Sequence, residues 1–296
     1  MDRDGGQRVP ERFGAFLIDK VIWQGTISTV YLARDSRDLA QVALKVLYPR
    51  PNRGLEEQRQ SAELEARNLR EIAHPNIIEL RKHGECEGIP YLSFPYIEGT
   101  RLDKWLDHGK PGTPTVLAIM RKACMGVHHA HTKGVLHRDL KPHHILLDKC
   151  NEPHLLDWGL SRRKGSVSKS GFQNIVGTPA YMSPEQARGE EANLTPASDV
   201  YSLGAILYHL LTGRPPFEAD STWKTLQMAM SLLPRPPREL HATMDPRVEL
   251  VILACLRKEP GQRYSSAKAL ADDLERVLQD TKPKGTSGRL ARFFER

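Results

Sequence analysis

The chain changes character at Gly99, and that change limits its fold more than any other feature of the 296 residues. From Phe13 to about Tyr96, short β-branched or aromatic runs are split by turn residues such as Asp35-Ser36. Examples are Phe16-Leu17-Ile18, Thr29-Val30-Tyr31-Leu32 and Gln41-Val42-Ala43-Leu44, and they read as strands. One long helical stretch, Leu55 to Ile72, interrupts them and stops before the breaker His74-Pro75-Asn76. Strands are expected again over Asn76 to Arg81 and Tyr91 to Ile97. Beyond Gly99 the spacing is helical. Thr115 to His131 carries Val116, Ile119, Ala123 and Val127 on one face, and Ser198–Leu211, Val248–Leu256 and Ala267–Leu278 are further helices. A small sheet with one helix, followed by a larger helical half, is an α+β pattern with two packed lobes.

Composition excludes several classes. Apolar residues make up 39% and charged residues 27%, ordinary globular usage and not that of a disordered or collagen-like chain. The longest apolar run, Leu250 to Leu256, is far short of the roughly 20 residues that span a bilayer. Met1-Asp2-Arg3-Asp4 lacks the apolar stretch of a secretory signal. Cys86, Cys124, Cys150 and Cys255 form no CxxC pair, so neither a zinc ribbon nor a disulfide framework is expected, and a reducing, cytoplasmic setting fits. The net charge of +7 comes from 43 basic and 36 acidic residues interspersed along the chain, which demands no nucleic-acid partner. The basic excess is sharpest from Thr281 to Arg296, where Gly288 to Arg296 could form a short amphipathic helix. Such a segment is a weak contact for a membrane surface or a partner, not an anchor.

Four local patterns carry chemistry. Val42-Ala43-Leu44-Lys45 ends an apolar strand on a lysine, by itself an ordinary snorkelling edge charge. In His137-Arg138-Asp139-Leu140-Lys141-Pro142 an aspartate lies between two cations, which favours its ionised form and lets it accept a hydrogen bond from a hydroxyl. Read alone, this is equally a surface charge cluster. Asp157-Trp158-Gly159 follows the apolar Leu155-Leu156 and suits a hard oxygen ligand beside a flexible glycine. The fourth is Gly177-Thr178-Pro179-Ala180-Tyr181-Met182-Ser183-Pro184-Glu185.

In this order and spacing the four patterns resemble the protein kinase family, whose signature set they match. The likeness covers Phe13 to Asp280, and Asp199-Val200-Tyr201-Ser202-Leu203-Gly204 and Pro260-Gly261-Gln262-Arg263-Tyr264 extend it. Ser183-Pro184-Glu185-Gln186-Ala187-Arg188-Gly189 is most similar to bacterial members of the eukaryotic-like, or Hanks-type, serine/threonine kinases. The resemblance implies a bilobal fold: an extension over 1–12, a catalytic domain over 13–280 with lobes 13–97 and 98–280, and a basic tail over 281–296.

It also implies roles. Lys45 would hold the α/β-phosphates of ATP and pair with a helix glutamate, for which Glu65 stands at the better spacing than Glu63. Asp139 would be the catalytic base, Lys141 would neutralise charge on the transferred phosphoryl group, and Asp157 would hold Mg²⁺. Lys141-Pro142 and Thr178 are similar to the Ser/Thr-specific form of the catalytic loop. Glu185 should pair with Arg263, and Asp199 should brace the catalytic loop. Ile22, Gly25, Val30, Ala43 and Leu146 fall at nucleotide-facing positions. Phe94 is at the gatekeeper position, Pro95 follows it, and the Ile97 backbone N–H is the expected adenine donor.

Two departures from the family pattern bear on activity. Trp23, Gly25 and Ser28 occupy the three slots of the glycine-rich loop, so only the middle glycine is kept. His144 stands where the family has the asparagine that binds a second Mg²⁺, and imidazole suits softer ions, which predicts relative rescue by Mn²⁺. His143 and His209 replace glutamates that read substrate arginines in Arg-directed kinases, so no strong preference for Arg ahead of the target hydroxyl is expected. Ser166, Ser168 and Ser170 are candidate phosphorylation sites, and phosphate on Ser170 could pair with Arg138 and order the loop, although Asn174 fills a slot where many relatives keep a threonine. The expected function is ATP-dependent phosphorylation of Ser/Thr hydroxyls of proteins, including the chain itself. The alternative is a pseudokinase, a nucleotide-binding or scaffolding module, favoured by Trp23, Ser28 and His144.

Overall fold

The computed structural model describes residues 10–25, 28–49, 54–109, 111–159, 162–163 and 179–284. The chain divides into two compact units: Met1–His74, Ile78–Glu98 and Asp157–Gly159 form the first; Pro75–Ile77, Gly99–Leu156 and Leu160–Arg296 form the second. Ser166, Ser168, Ser170, Asn174, Thr178 and the segment 288–296 lie outside the described residues.

The first unit is a six-stranded antiparallel sheet with one helix. In chain order its elements are β1 (Arg12–Phe13), β2 (Phe16–Gln24), β3 (Thr29–Asp35), β4 (Gln41–Val46), α1 (Leu55–Glu71), β5 (Lys82–Cys86) and β6 (Ile89–Pro95), and the strand order is β1-β2-β3-β4-β6-β5. Alternation along β4 sorts its residues: Val42, Leu44 and Val46 join a core with Phe13, Phe16, Tyr31 and Ala33, while Ala43 and Lys45 take the opposite face. Helix α1 buries Gln58, Glu65 and Asn68 beside Ala62, Ala66 and Leu69. Half of its buried face is therefore polar, which is why its apolar periodicity is thin. The expected strand over Asn76–Arg81 does not form. The Asn76 carbonyl instead accepts the Leu155 N–H at 2.9 Å and Ile77 makes a single bridge to Leu155, so Pro75–Ile77 belong to the second unit, while Ile78 onward belongs to the first and its next strand begins at Lys82.

The second unit is mainly helical. It contains β7 (Gly99–Arg101), α2 (Leu102–Trp105), α3 (Thr113–Thr132), β8 (Val135–Leu136), β9 (Ile145–Asp148), β10 (Pro153–Leu155), β11 (Arg162–Arg163), α4 (Pro184–Ala187), α5 (Pro196–Thr212), α6 (Thr222–Ser231), α7 (Pro246–Cys255) and α8 (Ala267–Leu278). Helix α5 is set by its ends. Thr195 and Ser198 form a capping box, Pro196 takes the first turn, and Gly213 closes the helix at φ 82°. Between them Ser198 to Leu211 is buried except His209, the pattern of a helix enclosed on all sides. Gly126 on α3 allows close approach: a Cβ there would lie 3.0 Å from Leu155 Cδ1 and 3.3 Å from the Asn76 carbonyl oxygen. No helix among the described residues is long and apolar enough to cross a membrane.

Candidate active site

In the first unit, strand register sets the site. Lys45 lies opposite Val30 on β3 and Leu92 on β6, and Ala43 lies opposite Leu32 and Phe94. Val30, Ala43 and Lys45 are partly exposed, whereas Phe94 is buried. The Lys45 ammonium donates to Glu65 Oε1 and Oε2 at 2.9 and 2.8 Å and to Asp157 Oδ1 at 2.8 Å. Glu63, the rejected candidate, is exposed. Burial opposes the charge on Lys45, yet the Asp157 and Glu65 carboxylates outweigh it and hold the amine above the ordinary lysine range. Burial also pushes Glu65 up, with Lys45 pulling the other way and the Trp158 backbone N–H adding a hydrogen bond. Asp157 sits at φ 57°, a left-handed conformation costing on the order of 1–3 kcal/mol for a non-glycine residue. The next two residues stabilise that turn: Trp158 is fully buried, and a Cβ on Gly159 would lie 3.0 Å from Glu65 Oε2.

The hairpin β2–β3 carries the altered glycine-rich loop. Val21, Ile22 and Trp23 are consecutive exposed apolar residues, Gly25 N–H bonds the Ser28 carbonyl at 2.9 Å, and Ser28 is buried. Pro95 closes β6 opposite Val42, and the next backbone N–H, that of Tyr96, reaches the Gln41 carbonyl at 3.3 Å. A proline is tolerated at that strand end because the ladder needs no donor from it. Ile97 is partly exposed just beyond.

In the second unit, the segment after β8 holds the second group. Asp139 is bound by Lys141, Nζ to Oδ2 at 2.8 Å, with both side chains mostly buried. Its peptide is fixed on both sides. The Asp139 N–H donates to His137 Nδ1 at 3.4 Å, and His144 Nδ1 donates to the Asp139 carbonyl at 2.8 Å. Arg138 takes φ 68°, and Asp199 overrides that strain: its two carboxylate oxygens accept the His137 and Arg138 backbone N–H groups, each at 2.9 Å. His131 Nε2 adds a contact to Asp199 at 2.7 Å. Burial works against the Asp199 charge, but these donors hold its pKa below the usual carboxylate range. Leu146 sits on β9, partly exposed, opposite Arg101 and His154.

Farther along, Arg263 uses all five guanidinium hydrogens. It makes a fork to Glu185 at 2.7 and 2.8 Å and reaches the carbonyls of Ala197, Arg257 and Lys258. The pair is 0% and 1% exposed. The two substrate-side histidines are engaged within the same unit. The Tyr181 hydroxyl and His209 Nδ1 share a hydrogen bond of 2.6 Å, and His143 Nε2 lies 3.3 Å from an Asp103 carboxylate already forked by Arg101. These contacts, together with the His137–His144 pairing, depend on tertiary packing and carry no signal in local sequence.

In the first unit Asp157 offers a carboxylate, the hard oxygen ligand that suits Mg²⁺. In the second unit His144 Nδ1 donates to the Asp139 carbonyl, and an imidazole is a ligand type that suits softer ions. Among the described residues no three His, Cys, Asp or Glu side chains gather as a metal cage.

The first unit thus gathers Lys45 from a strand, Glu65 from a helix and Asp157 from a loop, and the second braces an Asp–Lys pair, an arrangement suited to phosphoryl transfer. The protein kinase domain family matches residues 16–274, and the chain belongs to that family. It is 35% identical over 277 residues to the serine/threonine-protein kinase PknB of Mycolicibacterium smegmatis, covering 90% of this chain and 43% of that protein. It is 32% identical over 266 residues to the serine/threonine-protein kinase PrkC of Bacillus subtilis, covering 88% of this chain and 40% of that protein. The chain thus spans less than half the length of these relatives.

Proposed function

We propose that the chain is an ATP-dependent serine/threonine protein kinase acting in the cytoplasm, with its catalytic domain over 13–280. The observation that carries this reading is the Lys45 ammonium shared between Glu65 and Asp157 at 2.8–2.9 Å. That arrangement is a charged phosphate anchor, tensioned by a buried carboxylate. The residues that would receive the nucleotide are Ile22, Gly25, Val30, Ala43, Lys45, Phe94, Pro95 and Ile97 in the first unit and Leu146 in the second. Lys45 would hold the α/β-phosphates. A bound Mg²⁺, held by Asp157 and by the nitrogen of His144, would neutralise charge on the β- and γ-phosphates.

Asp139 would accept the hydrogen bond of a substrate Ser or Thr hydroxyl and orient it. As the new O–P bond forms and the bond from Pγ to the bridging oxygen of ADP breaks, the hydroxyl proton passes to Asp139. Lys141, already 2.8 Å from Asp139, would neutralise the equatorial oxygens of the transferred group. The nitrogen at His144 favours a softer ion than an amide oxygen would, so Mn²⁺ is expected to support transfer better, relative to Mg²⁺, than it does in His144→Asn. Neither His143 nor His209 offers a carboxylate for a substrate arginine. The basic tail is the segment suited to a weak contact with an acidic membrane surface or partner.

A second reading, a nucleotide-binding or scaffolding pseudokinase, is favoured by one observation. The indole of Trp23 occupies the space beside Gly25, where the family keeps open backbone for phosphate. Transfer of labelled phosphate from ATP to the chain and to a generic protein, with Mg²⁺ and Mn²⁺ in parallel, separates the two. Transfer lost in Asp139→Asn supports the kinase. A folded protein that binds nucleotide and transfers nothing with either ion is the pseudokinase.

A further inference from the structure

The side-chain amide of Gln186 bonds in two directions. Its Oε1 accepts the Ser183 N–H at 3.0 Å and the Ser183 hydroxyl at 3.1 Å, one half of the box that caps α4. Its Nε2 donates to the Arg138 carbonyl at 2.6 Å, 48 residues earlier in the chain. A backbone N–H only donates and a carbonyl only accepts, so these partners fix which end of the amide is oxygen and which is nitrogen.

The carbonyl that Gln186 holds belongs to the peptide joining Arg138 to Asp139. The N–H of that same peptide reaches His137 Nδ1 at 3.4 Å, a longer and weaker bond. The peptide before it is held by Asp199, which accepts the Arg138 N–H at 2.9 Å. Arg138 itself lies at φ 68°, a conformation uncommon for a residue with a side chain. The plane of the peptide entering Asp139 therefore needs a partner on its carbonyl side. Gln186 supplies it from a fixed point: Ser183 is buried, and the adjacent Glu185 is forked by Arg263.

We infer that Gln186 is a positioning residue for the proposed base, acting through its Nε2–H on the Arg138 carbonyl. The inference rests on Asp139 being that base. The amide then has two tasks. Its oxygen caps a helix, and its nitrogen orients the peptide that carries the reacting carboxylate. Glutamate meets the first task as well as glutamine does. Of the two, only glutamine meets the second.

Substitutions that divide these tasks test the inference. Gln186→Glu keeps the acceptor for Ser183 and removes the donor, and Gln186→Met fills the space with neither. Both are expected to lower kcat about 10–100-fold with the KM for ATP changed less than about threefold, since displacing a reacting group by an ångström costs on that order. The urea midpoint is expected to stay near the wild-type value in Gln186→Glu and to fall in Gln186→Met, which loses the cap. A residue that only caps the helix would leave Gln186→Glu equal to wild type in both readouts.

Independently of turnover, spectra of ¹⁵N,¹³C-labelled protein without nucleotide are expected to show one Gln186 Nε2 proton coupled across the hydrogen bond to the Arg138 carbonyl carbon. Its exchange with solvent should be slower by about tenfold or more than that of an exposed glutamine. A Gln186 amide that exchanges freely overturns the inference. So does a kcat within about twofold of wild type in either folded variant, and if Gln186→Glu fails to fold, Gln186→Met decides. Undiminished transfer by the variants removes the inference and leaves the kinase reading intact. Absence of transfer from folded wild type with either metal removes the kinase reading and the inference with it.

Discussion

The indole of Trp23 lies against the Cα of Gly25: a Cβ built on that glycine would fall 1.9 Å from Cη2 and 2.5 Å from Cζ2 of the ring. Gly25 does not have a positive φ, so space and not backbone conformation requires glycine here. The ring is 40% exposed and able to swing away. Gly25→Ala is therefore expected to destabilise the protein modestly, by about 1 kcal/mol, through lost packing of the indole. The same change in a Trp23→Ala background is expected to be neutral. A double-mutant cycle by denaturant unfolding measures this coupling, and additive effects would refute the contact.

Removing one partner of the Arg263–Glu185 fork leaves the other as an unpaired buried charge. Arg263→Met is expected to cost about 3–5 kcal/mol of stability, and Arg263→Lys to cost nearly as much because an ammonium cannot serve five directions. Urea midpoints check both.

The same pair and Asp199 set an acid limit. Burial works against the charge on Glu185, but the Arg263 hydrogen bonds and charge bring its pKa below the ordinary value; Asp199 is lowered likewise. For a depressed carboxylate the stabilisation is complete above the unfolded pKa of about 4 and is lost as pH falls through the lower folded value. Stability is thus expected to be flat above pH 5 and to fall below about pH 4. A Glu185→Leu/Arg263→Met protein is expected to fall less steeply, and an equal slope would assign the acid limit to other groups.

Tyr201 is fully buried with the Arg263 guanidinium 5.0 Å from its ring centroid, and its hydroxyl meets no hydrogen-bond partner among the described residues. Such a group carries a desolvation cost of about 1–3 kcal/mol. Tyr201→Phe is expected to leave the melting temperature unchanged or raise it; a drop of several degrees would reveal a partner for the hydroxyl.

His209 is hydrogen-bonded to Tyr181, and burial lowers its pKa, while His143 is lowered by burial too. Both rings are expected to be neutral near pH 7. Peptides with Arg ahead of the acceptor hydroxyl should then have kcat/KM within a few-fold of matched Ala peptides. A His143→Glu/His209→Glu protein should favour the Arg peptide by about tenfold, equivalent to about 1.4 kcal/mol. A wild-type preference of that size would overturn this assignment.

Much of the site was legible because its chemistry is tied to short, ordered motifs. The family resemblance favoured Glu65 over Glu63 by its spacing ahead of His74, and the Lys45 ammonium bonds Glu65. Helices α5 and α8 were legible because their apolar residues lie between strong caps. The strand expected over Asn76–Arg81 was misread because Asn76 and Ile77 are held by Leu155, almost 80 residues away in the chain, which no local pattern encodes. Helix α6 went unassigned between Pro-rich loops, since its buried face consists of Thr225, Leu226 and Ala229, a weak apolar stripe. The frame that His137 and His144 place around the Asp139 peptide was illegible for a different reason. It joins backbone and side-chain atoms, and backbone partners leave no mark in residue identity.

The five bonds of Arg263 also impose an order on synthesis. Glu185 leaves the ribosome 78 residues before its partner, an interval of roughly 4–16 s at typical elongation rates. During that interval the carboxylate has no guanidinium to meet, and its site cannot close without stranding a charge. The helical unit therefore completes its folding late, after nearly all of it has been made. A ribosome-bound chain ending shortly before residue 263 should be far more open to protease than one extended by the length of the exit tunnel.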